Sequence, residues 1–107
     1  MAREDFHSVL KNLNETYQLG LNEIAYQPKS NLKLTYPVIV YNDAPSDVFF
    51  ANNIAYANYD CYTVTVIARV PNDKYKKALL NIEFSKFINS FIKDNLYHYV
   101  FTCYHIS

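Results

Sequence analysis

From Asp60 to Arg69 the chain reads DCYTVTVIAR, and its residues alternate. Tyr62, Val64, Val66 and Ala68 fall on one side of an extended backbone, and Cys61, Thr63, Thr65, Ile67 and Arg69 on the other. β-Branched and aromatic residues dominate and glycine is absent, so the run is a strand. Its first side is core-like. Its second side is mixed, polar enough for water and apolar enough to pack against another subunit. The longer stretch from Asn53 to Val70 reads as one strand or two joined ones.

Only one glycine, Gly20, occurs in 107 residues. Turns must therefore rest on Asn, Asp and Pro, which also support turn geometry. Arg3 to Leu19 is predicted as a helix, because Phe6, Val9, Leu10, Leu13 and Tyr17 recur at spacings of three and four. Glu4 and Asp5 suit its positive end, and Gly20 is expected at C′, just past its last turn. Leu21 to Gln27 reads as a short strand. Val38 to Tyr41 are apolar on both faces, as in a strand covered on both sides, with Pro37 at its start. Asp43 to Asn53 reads as a loop that carries Val48, Phe49 and Phe50.

Pro71 ends the 60–69 strand, and Asn72 or Asp73 caps the next helix. Tyr75, Ala78, Leu79 and Ile82 form its apolar stripe, and Lys74, Lys76 and Lys77 a solvated face. Leu96 to Ile106 is a strand. Phe84 to Lys93 pairs with it through an Asp94-Asn95 turn, or else prolongs the helix, since Phe84, Phe87, Ile88 and Phe91 also have helical spacing. The order is helix, short strand, three-strand meander, helix, and C-terminal strand or hairpin. This predicts an α+β fold, an antiparallel β-sheet with helices packed on one face. Residues 1–107 form a single domain, long enough to bury roughly 65% of the surface exposed by the unfolded chain.

Formal net charge is zero, so long-range electrostatics give no reason to expect nucleic-acid or anionic-membrane binding. No apolar run approaches the ~20 residues that span a bilayer. The opening MAREDFHSVLKN has acids where a secretory leader needs basic and then apolar residues, so synthesis in a cytoplasm is expected. Cys61 and Cys103 read as reduced, buried thiols.

No catalytic, cofactor-binding or metal-binding residues are nominated. His98 and His105 have opposite strand parity and point to opposite faces, and no zinc spacing occurs. A Cys61–His98 couple has no surrounding feature that lowers a thiol pKa. One glycine cannot build a phosphate loop. Aromatic density invites a single-stranded nucleic-acid reading, but the basic charge that accompanies such binding is missing. Eleven tyrosines, residues that offer contact area at low entropy cost, point instead to an assembly subunit.

Three segments carry a resemblance: YPVIVYNDAPSDVFFANNIAY, YDCYTVTVIARVPNDKYKKAL and IKDNLYHYVFTCYHI, within Tyr36 to Ile106. The run Asp94-Asn95-Leu96-Tyr97-His98-Tyr99 is its most specific piece. In this order and spacing they resemble the tail terminator, or tail completion, proteins of tailed bacteriophages. The resemblance implies a compact α+β subunit of a hexameric ring, a homo-oligomer at the head–tail junction of the virion. Its implied partners are the tail tube protein and the head-completion or connector protein. Genomic DNA passes the lumen without specific binding, and neither catalysis nor a cofactor is implied. A neck or head-completion adaptor is the neighbouring alternative, and a single-stranded nucleic-acid-binding module an alternative of another class. The expected interface residues are Val48, Phe49 and Phe50 toward a neighbour or the tube, and Thr63, Thr65 and Arg69 toward an adjacent subunit.

Overall fold

A computed structural model describes residues 2–28, 35–44, 59–82 and 85–106. Two helices, α1 (Ala2–Tyr17) and α2 (Asp73–Leu79), accompany five strands. The strands are β1 (Glu23–Tyr26), β2 (Val38–Asp43), β3 (Tyr59–Ala68), β4 (Ser85–Lys93) and β5 (Leu96–Ile106). They form one sheet in the order β1-β2-β3-β5-β4. The fold is α+β with a mostly antiparallel sheet.

One pair departs from the antiparallel expectation: β1 and β2 run parallel, with Glu23 beside Val38 and Tyr26 beside Tyr41. Residues 27–37 separate them in the sequence, far more than the two-residue turn that joins an antiparallel hairpin, as parallel pairing requires. Of the expected three-strand meander, β2 and β3 are observed, and residues 53–58 lie outside the described residues. The third neighbour of this group is β5, which pairs with β3 along its whole length, from Tyr59 beside Ile106 to Ala68 beside Tyr97.

The alternation read from the sequence gives β3 its burial. Tyr62, Val64, Val66 and Ala68 are buried, whereas Thr63, Thr65 and Ile67 are half-buried. The same parity on β2 and β5 supplies Ile39, Tyr41, Phe101 and Cys103. These side chains share one core cluster with Phe6, Leu10 and Leu13 of α1 and Tyr75, Ala78 and Leu79 of α2. The Phe6 ring stacks on Tyr62 with centroids 4.4 Å apart, and meets Tyr41 edge-on at 5.6 Å. Such aromatic pairs add about 0.5–1.5 kcal/mol beyond the area they bury. Tyr17, expected on the same helix face, lies at the rim and is exposed. Val38 and Cys61 are also buried but have the opposite parity and stand outside this cluster. Val38 and Ile39 together make this end of β2 buried on both faces, as its apolar run predicts.

The end of α1 corrects the expectation for Gly20. Gln18 adopts the left-handed conformation (φ 52°), and the Leu19 N–H donates to the Asn14 carbonyl at 3.1 Å. This is a Schellman closure with Gln18 at C′. Leu19, the next residue, is buried in the same core cluster as Leu13. Gly20 has positive φ as well (71°), one step beyond the closure. Lys74, expected on a solvated face, is half-buried, and its Nζ donates to the Gln18 carbonyl at 3.2 Å. Lys76 sits over the Phe87 ring, 4.3 Å from its centroid.

Asn72 caps α2: its side chain accepts from the Lys74 N–H at 2.9 Å. Asp94 (φ 55°) and Asn95 (φ 64°) form the turn of the β4–β5 hairpin. Two successive left-handed residues are the I′ geometry that matches strand twist, and short polar side chains tolerate it. Residues 85–93 are therefore a strand and not a continuation of α2. Phe87 pairs with Phe101, and a bulge between Phe87 and Asn89 sets Ile88 out of register.

Candidate functional site

The register places Thr63 and Thr65 on one sheet surface, the one opposite the core cluster. Three rows cross it. Asn42, Thr63, Thr102 and Lys86 form the first, and Ala25, Val40, Thr65, Val100 and Asn89 the second. Glu23, Val38, Ile67, His98 and Phe91 form the third. The middle of this surface is half-buried, and its Thr, Val and Ile side chains are stiff at χ1. Such a surface loses little side-chain entropy when covered.

Arg69 lies one residue past the strand that carries these rows. β3 ends at Ala68, and Arg69 is exposed beyond the strand, with its guanidinium 5.4 Å from the centre of the Tyr36 ring. Continuation of the β2–β3 register from Val38–Ile67 sets Tyr36 opposite Arg69, so Thr63 and Thr65 stand within the rows and Arg69 just past their end. Val48, Phe49 and Phe50 lie outside the described residues.

The tyrosines are more committed to the fold than their number suggests. The buried Tyr41 has its hydroxyl 2.7 Å from His7 Nδ1. Tyr26 donates to the Asp43 carboxylate at 2.6 Å, and the Tyr99 hydroxyl accepts from the Asn72 N–H at 3.1 Å. Tyr62 and Tyr75 are buried. The tyrosine count therefore says less about partners than the Thr/Val surface does.

Cys61 faces Tyr104 across the β3–β5 ladder, and His98 faces Ile67. Six positions separate them along the ladder, about 20 Å at ~3.3 Å per residue, so they form no nucleophile–base couple. His98 and His105 occupy positions of opposite parity. Among the described residues no three His, Cys, Asp or Glu side chains converge on a metal-sized site. A cleft of about 230 Å³ lies between α1 and β1, lined by His7, Lys11, Asn14, Leu21, Asn22, Glu23 and Ile24. Its amides serve the fold: the Asn14 side chain accepts from the Leu21 N–H at 3.0 Å, and Asn22 donates to the Tyr36 carbonyl at 2.9 Å. No described helix is long and apolar enough to cross a membrane.

The outer edge of β4 is a feature that sequence reasoning missed. β4 ends the sheet, and Ile88, Phe91 and Ile92 are 48%, 43% and 63% exposed, a large apolar surface for one edge strand. Its signal in the sequence is SKFINSFIK, an apolar run bracketed by Lys86 and Lys93. Lysines in such places guard edge strands.

Comparison of the chain with protein-family models, with curated proteins and with solved structures finds no match.

Proposed function

We propose that the chain is a structural subunit of the head–tail junction of a tailed phage, a tail terminator. In this reading it forms a ring on the tail tube and meets the head-completion protein, and DNA passes through. The observation that carries it is the placement of the three segments that resemble this family. The first begins with β2, the second runs through β3 and α2, and the third is the end of β4 with β5. β2, β3 and β5 are neighbours in the sheet, so the resemblance falls on one contiguous unit. The stiff, nearly uncharged Thr/Val surface supports the reading too. It suits a protein partner better than a polyanion, whose binding needs clustered cations.

Electron microscopy of particles made without the protein tests the proposal. Overlong tail-tube polymers and unjoined heads are expected. Filled heads that leak DNA, with tails of normal length, would assign it to the head side as an adaptor. Normally joined virions would overturn both assignments. Salt-sensitive binding of a single-stranded oligonucleotide would instead favour the nucleic-acid module.

A further inference from the structure

The sheet has two edges among the described residues, β1 and β4, and they differ in charge. β4 carries Lys86 and Lys93 and no acid, and β1 carries Glu23 and no base. Pairing of β4 with a second β4 about a two-fold axis at Asn89–Ser90 would set Lys86 opposite Lys93, twice. Like charges directly opposite are destabilising. The edge is built against that pairing, while its exposed Ile88, Phe91 and Ile92 favour cover of some kind.

Strand polarity supplies the second observation. β1 and β2 are parallel, and each later step from β2 to β3, β5 and β4 reverses direction. β4 therefore runs opposite to β1. A copy moved around an axis along the strands, without being turned over, presents its β1 antiparallel to β4 of the first.

Hydrogen-bond phase supplies the third. The Gln27 N–H donates to the Tyr41 carbonyl at 2.9 Å. Ala25, in the same phase, directs its backbone groups to β2, so Ile24 directs its own outward; the phase changes before β1, where the Asn22 N–H donates to the Pro37 carbonyl at 2.8 Å. In a two-residue hairpin the pair beside the turn, Lys93 and Leu96, is the bonded one, so Ile92 directs its groups outward. Ile92 set opposite Ile24 is then a hydrogen-bonded pair. Lys93 falls opposite Glu23 and Phe91 opposite Ala25, with every side chain on the matching face of the sheet.

We propose that β4 of one copy pairs antiparallel with β1 of the next, in this register, so that the sheet continues from copy to copy. The register joins opposite charges at Lys93–Glu23, two apolar residues at Ile92–Ile24, and a ring with a small residue at Phe91–Ala25. The contact is head-to-tail, and such contacts close into rings or run on as filaments according to the rotation at each step. The proposal rests on the ring-subunit reading for its closure, and not for its register.

Two single-cysteine additions test it in the full chain. Ala25→Cys and Phe91→Cys face each other in a non-hydrogen-bonded pair, where Cα atoms lie within disulfide reach. Mild oxidation of a mixture of the two proteins is expected to give a mixed dimer that neither forms alone. The double variant is expected to give closed oligomers of one size. Separately, Glu23→Lys is expected to weaken association about tenfold, and Lys93→Glu added to it to restore association. A Phe91→Cys homodimer formed as fast as the mixed one, or no mixed dimer at any concentration, overturns the register. Wild-type rings without the mixed cross-link overturn it while leaving the ring reading intact. Cross-linked open chains of no fixed size support the register and overturn the ring.

Discussion

His7 Nδ1 lies 2.7 Å from the Tyr41 hydroxyl, and this contact joins the first turns of α1 to the centre of β2. Tyr41 is fully buried, and its ring is packed by Phe6, Tyr26 and Tyr62 at centroid distances of 5.1 to 5.7 Å. Tyr41→Phe keeps the ring contacts and removes the hydroxyl. It is expected to cost about 1 kcal/mol, the ordinary net worth of an internal hydrogen bond. His7→Ala should lose a similar amount, and the double variant little more than either alone. Urea denaturation of the four proteins measures this. Additive losses would show that the two groups are not coupled.

Cys103 gives stability a dependence on alkaline pH. Burial, and after it the nearby Cys61, pushes its thiol up to about 12. In the unfolded chain a thiol titrates near ~8.5. Between these values the unfolded state releases a proton that the folded state keeps. Stability from this group is therefore complete below pH ~8.5 and falls as pH rises toward 12, by as much as about 1.4 kcal/mol per unit. Stability measured at pH 7, 9 and 10 should decline more steeply in the wild type than in Cys103→Ala. Equal slopes would remove the thiol as the cause. The same burial predicts that iodoacetamide reaches Cys103 at pH 8 only after unfolding.

Gln18, not Gly20, holds the left-handed position of the α1 closure. A side chain in that conformation costs about 1–2 kcal/mol that glycine avoids. Gln18→Gly should therefore raise stability by about 1 kcal/mol. Gly20→Ala should lower it by a similar amount, and from backbone strain alone, because a Cβ there meets no atom within 4 Å. A rise in thermal midpoint for the first and a fall for the second are the expected results. A loss on Gln18→Gly would mean that the Gln18 side chain has a role in the closure.

What could be read from the sequence was what local pattern determines. The alternation of Tyr62 to Ala68 gave the buried side of β3, Asn72-Asp73 gave the place of the α2 cap, where Asn72 is the residue that caps, and Asp94-Asn95 marked a turn under the hairpin reading, one of the two that the sequence left open. Each depends on residues within a few positions of one another. The parallel step from β1 to β2 depends on where a long connection brings the chain, which no periodicity encodes. The segment SKFINSFIK satisfies both helical and strand spacing, and its pairing with β5 through the Asp94-Asn95 turn decides between them. Of the candidate interface, Thr63 and Thr65 were legible because parity alone places them on one surface. Arg69 lies one residue past the end of β3, where it meets Tyr36, the residue that continuation of the β2–β3 register sets opposite it.

The pairing of β3 with β5 has a consequence for the order in which the molecule assembles. Ala68 and Tyr97 are 29 residues apart in the chain, whereas Tyr59 and Ile106 are 47 apart. Closing the shorter loop costs less entropy, and each further pair then adds only its own two residues. The ladder should nucleate at the end that α2 and its cap hold together, and zip away from it. Kinetics distinguish the two ends. Val66→Ala, beside Tyr99, is expected to slow folding, and Tyr62→Phe, beside Cys103, to act mainly on unfolding. The reverse pattern would place the first contacts at the far end.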